Sequence, residues 1–284
     1  MRAAPRLAVF ALEALPNARA LRRFVADHAE TIAFVGLSHA ERPSAGGLVA
    51  QVRRHLARSG PRFLPYLAVN FGLPDLVNGL STTLRRNAPP EATPLAPLCR
   101  RLGIPVLTVD DVNGPEVADA FAAHAPDLIV SFHFDQIFSA ATLDRAPLGG
   151  LNVHPSLLPR HRGPTPTLHA LADGDRAFGV TVHRLAAAID AGAILAQEPV
   201  TLPQGTSATR AARLLHERGR GVLETVLADI AAQGAVPAGR HVPVLPYRGF
   251  PDRALLARMH QSGLPLADRG DWRDALGLAR GSGP

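Results

Sequence analysis

The chain has 284 residues, 46% of them hydrophobic and 19% charged, and a formal net charge of +6 carried entirely by arginine, since lysine is absent. These figures describe a soluble globular protein long enough to bury a large core. The single cysteine, Cys99, excludes an internal disulfide framework and a cysteine metal cluster, and no metal site is expected. No stretch is long and apolar enough to span a bilayer and no signal-peptide pattern opens the chain, so the expected location is cytoplasmic. Arginine suits phosphate and carboxylate partners through its planar fork, but nothing here is firm evidence of a nucleic-acid surface.

In chain order, Arg6–Ala11 reads as a buried strand, Leu15–His28 as a helix with Leu21, Phe24 and Val25 at helical spacing, and Thr31–Leu37 as a second strand. A βαβ opening predicts a Rossmann-like, mostly parallel α/β sheet flanked by helices. Ala11–Asn17 holds no glycine, so a dinucleotide fingerprint is absent. Residues 46–87 form an insertion. Leu48–Arg58 is a basic amphipathic helix with Arg53, Arg54 and Arg58, and an apolar, aromatic run from Phe63 to Leu80 follows, broken by Pro65, Gly72 and Pro74 and ending at Arg85 and Arg86. This reads either as a flap completing the core, or as a lid or membrane-facing surface for an amphipathic or lipid-linked partner.

Pro94–Leu102 is a helix, Ile104–Val109 a strand, Pro115–His124 a helix and Asp127–Ser131 a buried strand. Phe132, His133, Phe134, Gln136 and Ile137 follow at that strand's carboxyl end, where His133 either lines a site or packs. Ser139–Asp144 is a short helix, Thr167–Asp173 another, and Phe178–Leu185 with Ile194–Leu202 makes a late antiparallel hairpin. A long helix opens after Gly205 and ends at Gly234. The expected division is a catalytic domain over 1–235 and a proline-rich tail over 236–284, with a short helix at Arg253–Gln261, packing on it.

The whole is organised around Gly149–Pro159, a short apolar strand stopped by prolines. Alternation puts Asn152 and His154 on one face at a strand's carboxyl end, where open α/β sheets bind ligands. An amide polarises a carbonyl oxygen and an imidazole moves protons near neutral pH, a pairing suited to attack of an amine on a carbonyl carbon. After Pro159, the turn residues through Pro166 form a loop. Its Arg160, Arg162 and Gly163 are candidates for binding an anionic substrate, with solvated arginines the alternative.

The run Asn152-Val153-His154-Pro155-Ser156-Leu157-Leu158-Pro159 with Arg162-Gly163 resembles the signature of the folate-dependent formyltransferases. Gly179–His183 and Ile189–Gln197, with Asp190, resemble the second signature at the spacing the first requires. The resemblance implies a one-carbon transferase that moves a formyl group from 10-formyltetrahydrofolate to a primary amine. It implies Asn152, His154 and Asp190 as the catalytic group, and the Ala186–Ala193 loop, with Ala187, Ala188 and Ile189, as the pterin-binding segment beside Phe132–Ile137. The expected acceptor is a small-molecule amine such as an amino sugar. Methionyl-tRNA formyltransferase, formyltetrahydrofolate hydrolase and a catalytically silent folate-binding scaffold are the alternatives. Glycinamide ribonucleotide formyltransferases carry a glycine-rich phosphate loop after the first strand, which this chain lacks.

Overall fold

The structure is a computed structural model and describes residues 4–39, 46–81, 88–175 and 177–278. Arg85 and Arg86, at the end of the insertion, lie outside the described residues. The elements are β1 (Leu7–Leu12), α1 (Ala18–Asp27), β2 (Ile32–Ser38), α2 (Gly47–Ser59), α3 (Leu64–Leu67), α4 (Leu73–Ser81), α5 (Leu95–Leu102), β3 (Val106–Thr108), α6 (Pro115–His124), β4 (Leu128–Phe132), α7 (Ala140–Leu143), β5 (Gly150–His154), α8 (Pro166–Ala172), β6 (Phe178–Arg184), β7 (Ile194–Val200), α9 (Ala208–Gln233), α10 (Arg253–Gln261) and α11 (Arg269–Ala275).

The strands form one sheet in the order β3-β2-β1-β4-β5-β6-β7. β1 to β5 run parallel, and β6 and β7 add an antiparallel edge. Both faces are covered, which is why β1 and β4 read as continuous apolar runs rather than alternating ones. Along β1, Leu7, Val9 and Ala11 face a core shared with α1, α5 and α9, while Ala8 and Phe10 face α6. The chain moves outward from β1 to β3 and returns on the other side at β4. The gap between the carboxyl ends of β1 and β4 is therefore the topological switch point, the default ligand position of such sheets. Where a glycine-rich loop would follow β1, Asn17 closes the turn instead. Its amide donates to the Leu12 carbonyl (3.0 Å) and the Phe132 carbonyl (3.4 Å), and its Oδ1 accepts from Ala14 N–H (2.8 Å).

The insertion is more continuously helical than its prolines suggest. Pro65 lies in the first turn of α3 and Pro74 in the first turn of α4, positions where a missing N–H costs little. A π turn over Ala68–Gly72 joins the two. Phe63 and Tyr66 are buried with Leu168, Leu255, Leu256 and Met259 in a third cluster, so the insertion and the C-terminal tail share one core. Arg58 donates to the Phe250 carbonyl (2.8 Å), Ser59 to the Pro251 carbonyl (2.6 Å) and Arg253 to the Leu56 carbonyl (3.2 Å). Helix α11 was not anticipated: it has only seven residues and no apolar stripe to read. Its one local sign is the reciprocal cap between Asp268 and Asp271.

Among the described residues no helix is long and apolar enough to cross a membrane. Cys99 is buried, and burial pushes its thiol up to about 12, so it is a packing residue rather than a nucleophile. The shared core can be tested directly. Phe63 has 0% exposure, so Phe63→Ala should lose about 3–5 kcal/mol of unfolding free energy. The exposed Arg53→Gln should stay within about 0.5 kcal/mol. Urea denaturation of the two variants checks both values.

Candidate active site

A cavity of about 180 Å³ opens at the switch point. Its walls come from the turn after β1 (Pro16), the segment after β4 (His133–Ile137), the end of β5 (Asn152, His154), the loop before α8 (Gly163–Pro166), the β6–β7 connection (Ile189, Asp190), α9 (His216) and the tail (Tyr247). The expected Asn152, His154 and Asp190 thus line one cavity.

Asp190 is its electrostatic centre. One carboxylate oxygen lies 3.5 Å from His154 Nδ1 and 3.6 Å from His183 Nε2, and the other accepts the Gly163 N–H at 2.8 Å. The side chain is 9% exposed. Burial alone would raise its pKa, but the two imidazoles and the Gly163 N–H outweigh burial and hold it at about 2. His183 Nδ1–H donates to the Arg184 carbonyl (2.8 Å), and its Nε2, which faces Asp190, lies 3.1 Å from the Asn152 amide nitrogen. An amide nitrogen has two protons, so Asn152 keeps one for the cavity it lines. His154 Nε2–H donates to the His161 carbonyl (3.2 Å) while Nδ1 faces Asp190. Both partners are acceptors and favour the imidazolium. Burial pulls the other way, with the neighbouring His183, and leaves the His154 pKa below its ordinary value.

Several backbone features serve this placement. Asp190 has φ +47°, a left-handed conformation that Asp tolerates better than most residues. Gly163 has φ +124°, and a Cβ there would meet the Arg248 carbonyl oxygen at 2.1 Å. A Cβ on Gly192 would lie 1.8 Å from the Arg184 carbonyl oxygen, so the hairpin can close only with glycine there.

Other expected residues take different places. Arg162 is buried, and its guanidinium donates to the carbonyls of Ile189 (3.0 Å from Nε) and Leu245 (2.5 Å from Nη1). It clasps the hairpin loop to the tail and does not line the cavity, nor does Arg160, which pairs with Asp175 at 2.6 Å. Gly163 does line it, through its backbone. His133, Phe134, Gln136, Ile137 and Ile189 line it too, but the Gln136 amide is committed to Val109 O (3.1 Å) and Val112 N–H (2.8 Å). Phe132 is fully buried behind the wall, and Ala187 and Ala188 are exposed and outside it, because the hairpin loop meets the cavity only at Ile189 and Asp190. Of the insertion, Tyr66 reaches the cavity while Arg53 and Arg58 do not.

Sequence reasoning missed His183 as a partner of Asp190, Tyr247 on the tail, and His216. The last carried a legible signal: a lone histidine on the apolar stripe Ala212, Leu215, Gly219, Leu223 of α9.

The depressed Asp190 pKa has a consequence with a fixed sign. Its stabilising contribution is fully present above the unfolded value of 3.8 and is lost as pH falls through about 2. Wild type should exceed Asp190→Asn by roughly 2 kcal/mol at pH 5, and the gap should close between pH ~4 and ~2. Urea titrations across that range check it.

A profile of the family described as formyl transferase matches residues 74–227, more than half of the chain. Methionyl-tRNA formyltransferase of Roseiflexus sp. (strain RS-1) is 39% identical over 145 residues, 51% of this chain and 44% of that protein. The enzyme of the same name from Chlorobium phaeovibrioides (strain DSM 265) is 39% identical over 153 residues, 54% of this chain and 47% of that one. The chain thus spans less than half the length of these relatives. Glycinamide ribonucleotide transformylase 1 from Symbiobacterium toebii superposes with a TM-score of 0.56 at 19% identity, over 86% of this chain and 95% of that one. A sugar N-formyltransferase from Shewanella sp. FDAARGOS_354 gives 0.51 at 18%, over 86% and 77%. At those identities the two structures speak to the fold alone. With the profile match over more than half its length, the chain belongs to the formyl transferase family, the folate-dependent one-carbon transferases.

Proposed function

We propose that this protein transfers a formyl group from 10-formyltetrahydrofolate to a primary amine of a small molecule such as an amino sugar. The observation that carries the reading is the convergence of Asn152, His154 and Asp190 on one cavity at the carboxyl end of β5. Phe134, Ile137 and Ile189 also line the cavity and give it apolar surface of the kind a flat heteroaromatic ring such as the folate donor's needs. When bound, the donor supplies an activated formyl carbon. In this reading residues 1–235 carry the chemistry, and the tail completes the wall through Tyr247.

The roles follow from what each side chain has to give. Asn152 offers its second amide proton to the formyl oxygen, where negative charge builds as the amine adds. His154 lines the same cavity, and once it has taken up the amine's proton its imidazolium adds a positive charge near that oxygen. Asp190 orients that imidazole and favours its charged form against the burial that leaves its pKa below the ordinary value. The proton the amine gives up and the proton the departing nitrogen takes balance, and His154 with Asp190 supports their exchange.

A second reading, formylation of methionyl-tRNA, is favoured by the names of the relatives at 39% identity. Incubation of the protein with 10-formyltetrahydrofolate and either amino sugars or methionyl-tRNA, following tetrahydrofolate release, separates the two. With the acceptor so found, Asn152→Ala, His154→Ala and Asp190→Ala should each lower kcat/KM by on the order of a hundredfold or more at unchanged circular dichroism. Near-normal turnover in all three would remove the assignment.

A further inference from the structure

The His154 ring is held on two edges. Nδ1 faces Asp190, and Nε2–H donates to the carbonyl of His161, seven residues further along the chain (3.2 Å). The hydrogen bond on one ring nitrogen sets how the other is presented, so the His161 carbonyl helps decide how His154 meets Asp190. His161 has φ +55°, in the left-handed region that few residues other than glycine adopt. Strained backbone of this kind persists where its surroundings over-determine it, and it gathers at functional sites.

The surroundings of His161 are charged and largely buried. Its side chain is 4% exposed and has a partner on each edge. Nε2 lies 2.7 Å from Asp175 Oδ2, and the Asp175 carboxylate, 8% exposed, also takes Arg160 Nη2 at 2.6 Å. Nδ1 lies 3.2 Å from Arg248 Nη1. A carboxylate only accepts and a guanidinium only donates, so one tautomer meets both: Nε2 carries the proton and Nδ1 accepts. Arg248 is anchored in turn by Asp173, whose Oδ1 accepts from Nη2 at 3.2 Å, and its backbone N–H donates to the Arg162 carbonyl at 2.9 Å. The next residue is pinned as well, since His169 Nε2–H donates to the Gly249 carbonyl at 2.8 Å. Asp175, His161 and Arg248 do not line the catalytic cavity, so they act there only through another residue.

We propose that Asp175, His161 and Arg248 are positioning residues for His154. They clamp the His161 imidazole from both edges, which fixes the His161 carbonyl and with it the plane in which the His154 ring meets Asp190. Through Arg248 the C-terminal tail takes part in setting the catalytic imidazole. The consequence for turnover rests on the formyl-transfer reading, whereas the orientation of the ring does not.

The test uses the full-length protein with ¹⁵N-labelled histidine and two variants, Asp175→Ala and Arg248→Met. The His161 carbonyl favours the His154 imidazolium, so a carbonyl that swings away should lower the His154 titration midpoint in both variants. Lost charge alone would split them: removing the Asp175 carboxylate lowers the midpoint, and removing the Arg248 guanidinium raises it. The other titratable groups facing His154, namely Asp190, His183 and His216, are the same in both variants. With the acceptor found as above, kcat should fall about tenfold or more, because small misplacements are costly, while KM for 10-formyltetrahydrofolate stays within about twofold. Should Asp175→Ala fail to fold, Arg248→Met decides, since its side chain is partly exposed. A raised or unchanged His154 midpoint in Arg248→Met would overturn the proposal, and so would near-normal kcat in both variants. Lowered midpoints in both variants without formyl transfer to any acceptor would leave the clamp standing and remove the formyl-transfer reading.

Discussion

Asp190 is a carboxylate held ionised inside the protein. Burying such a charge costs several kcal/mol unless it is paired and hydrogen-bonded. Here the compensation comes from three places: His154 at the end of β5, His183 at the end of β6, and the backbone N–H of Gly163 in the loop before α8. The constraint propagates outward. The β6–β7 loop must carry Asp190 in a left-handed conformation, Gly192 must let that loop close on Arg184, and Arg162 must tie it to the tail. Residues that look like a binding loop in the sequence are therefore partly scaffolding. Arg162 spends its guanidinium on backbone carbonyls so that Asp190 can keep its place.

The same logic joins the insertion to the tail. Neither α2 to α4 nor α10 rests against the central sheet as its main support; they share a core through Phe63, Tyr66, Leu255, Leu256 and Met259. That shared core places Tyr66 in the cavity wall and holds Phe250, three residues beyond Tyr247, which also lines the cavity. The insertion's arginines were an obvious candidate for gripping an anionic partner. Arg58 instead spends its Nε–H on the Phe250 carbonyl and so joins the insertion to the tail.

Much of this was legible in the sequence because the physics that fixes it is local. Apolar runs and 3.6-residue periodicity located nearly all strands and helices, and strand alternation alone put Asn152 and His154 on one face. Where legibility failed, the cause was long-range. The sequence shows Arg162 as a charge near a candidate site; that its partners are the carbonyls of Ile189 and Leu245 depends on how hairpin and tail meet. Ala187 and Ala188 lie outside the cavity because of the direction in which that loop turns, which composition does not encode. His183 sat inside a recognised motif without a role because its contact with Asp190 requires the register of β6 against β5. Prolines in the insertion suggested breaks, yet they stand in first helical turns and are tolerated there.

His154 and His183 hold the Asp190 carboxylate ionised well below the ordinary carboxylate range. The most direct measurement is a ¹³C NMR titration of the Asp190 carboxyl carbon in wild type and in His183→Gln. The midpoint should lie near about 2 in wild type and move upward in the variant, since one of the favourable partners is gone. A wild-type midpoint at or above 3.8, or no change in His183→Gln, would contradict it.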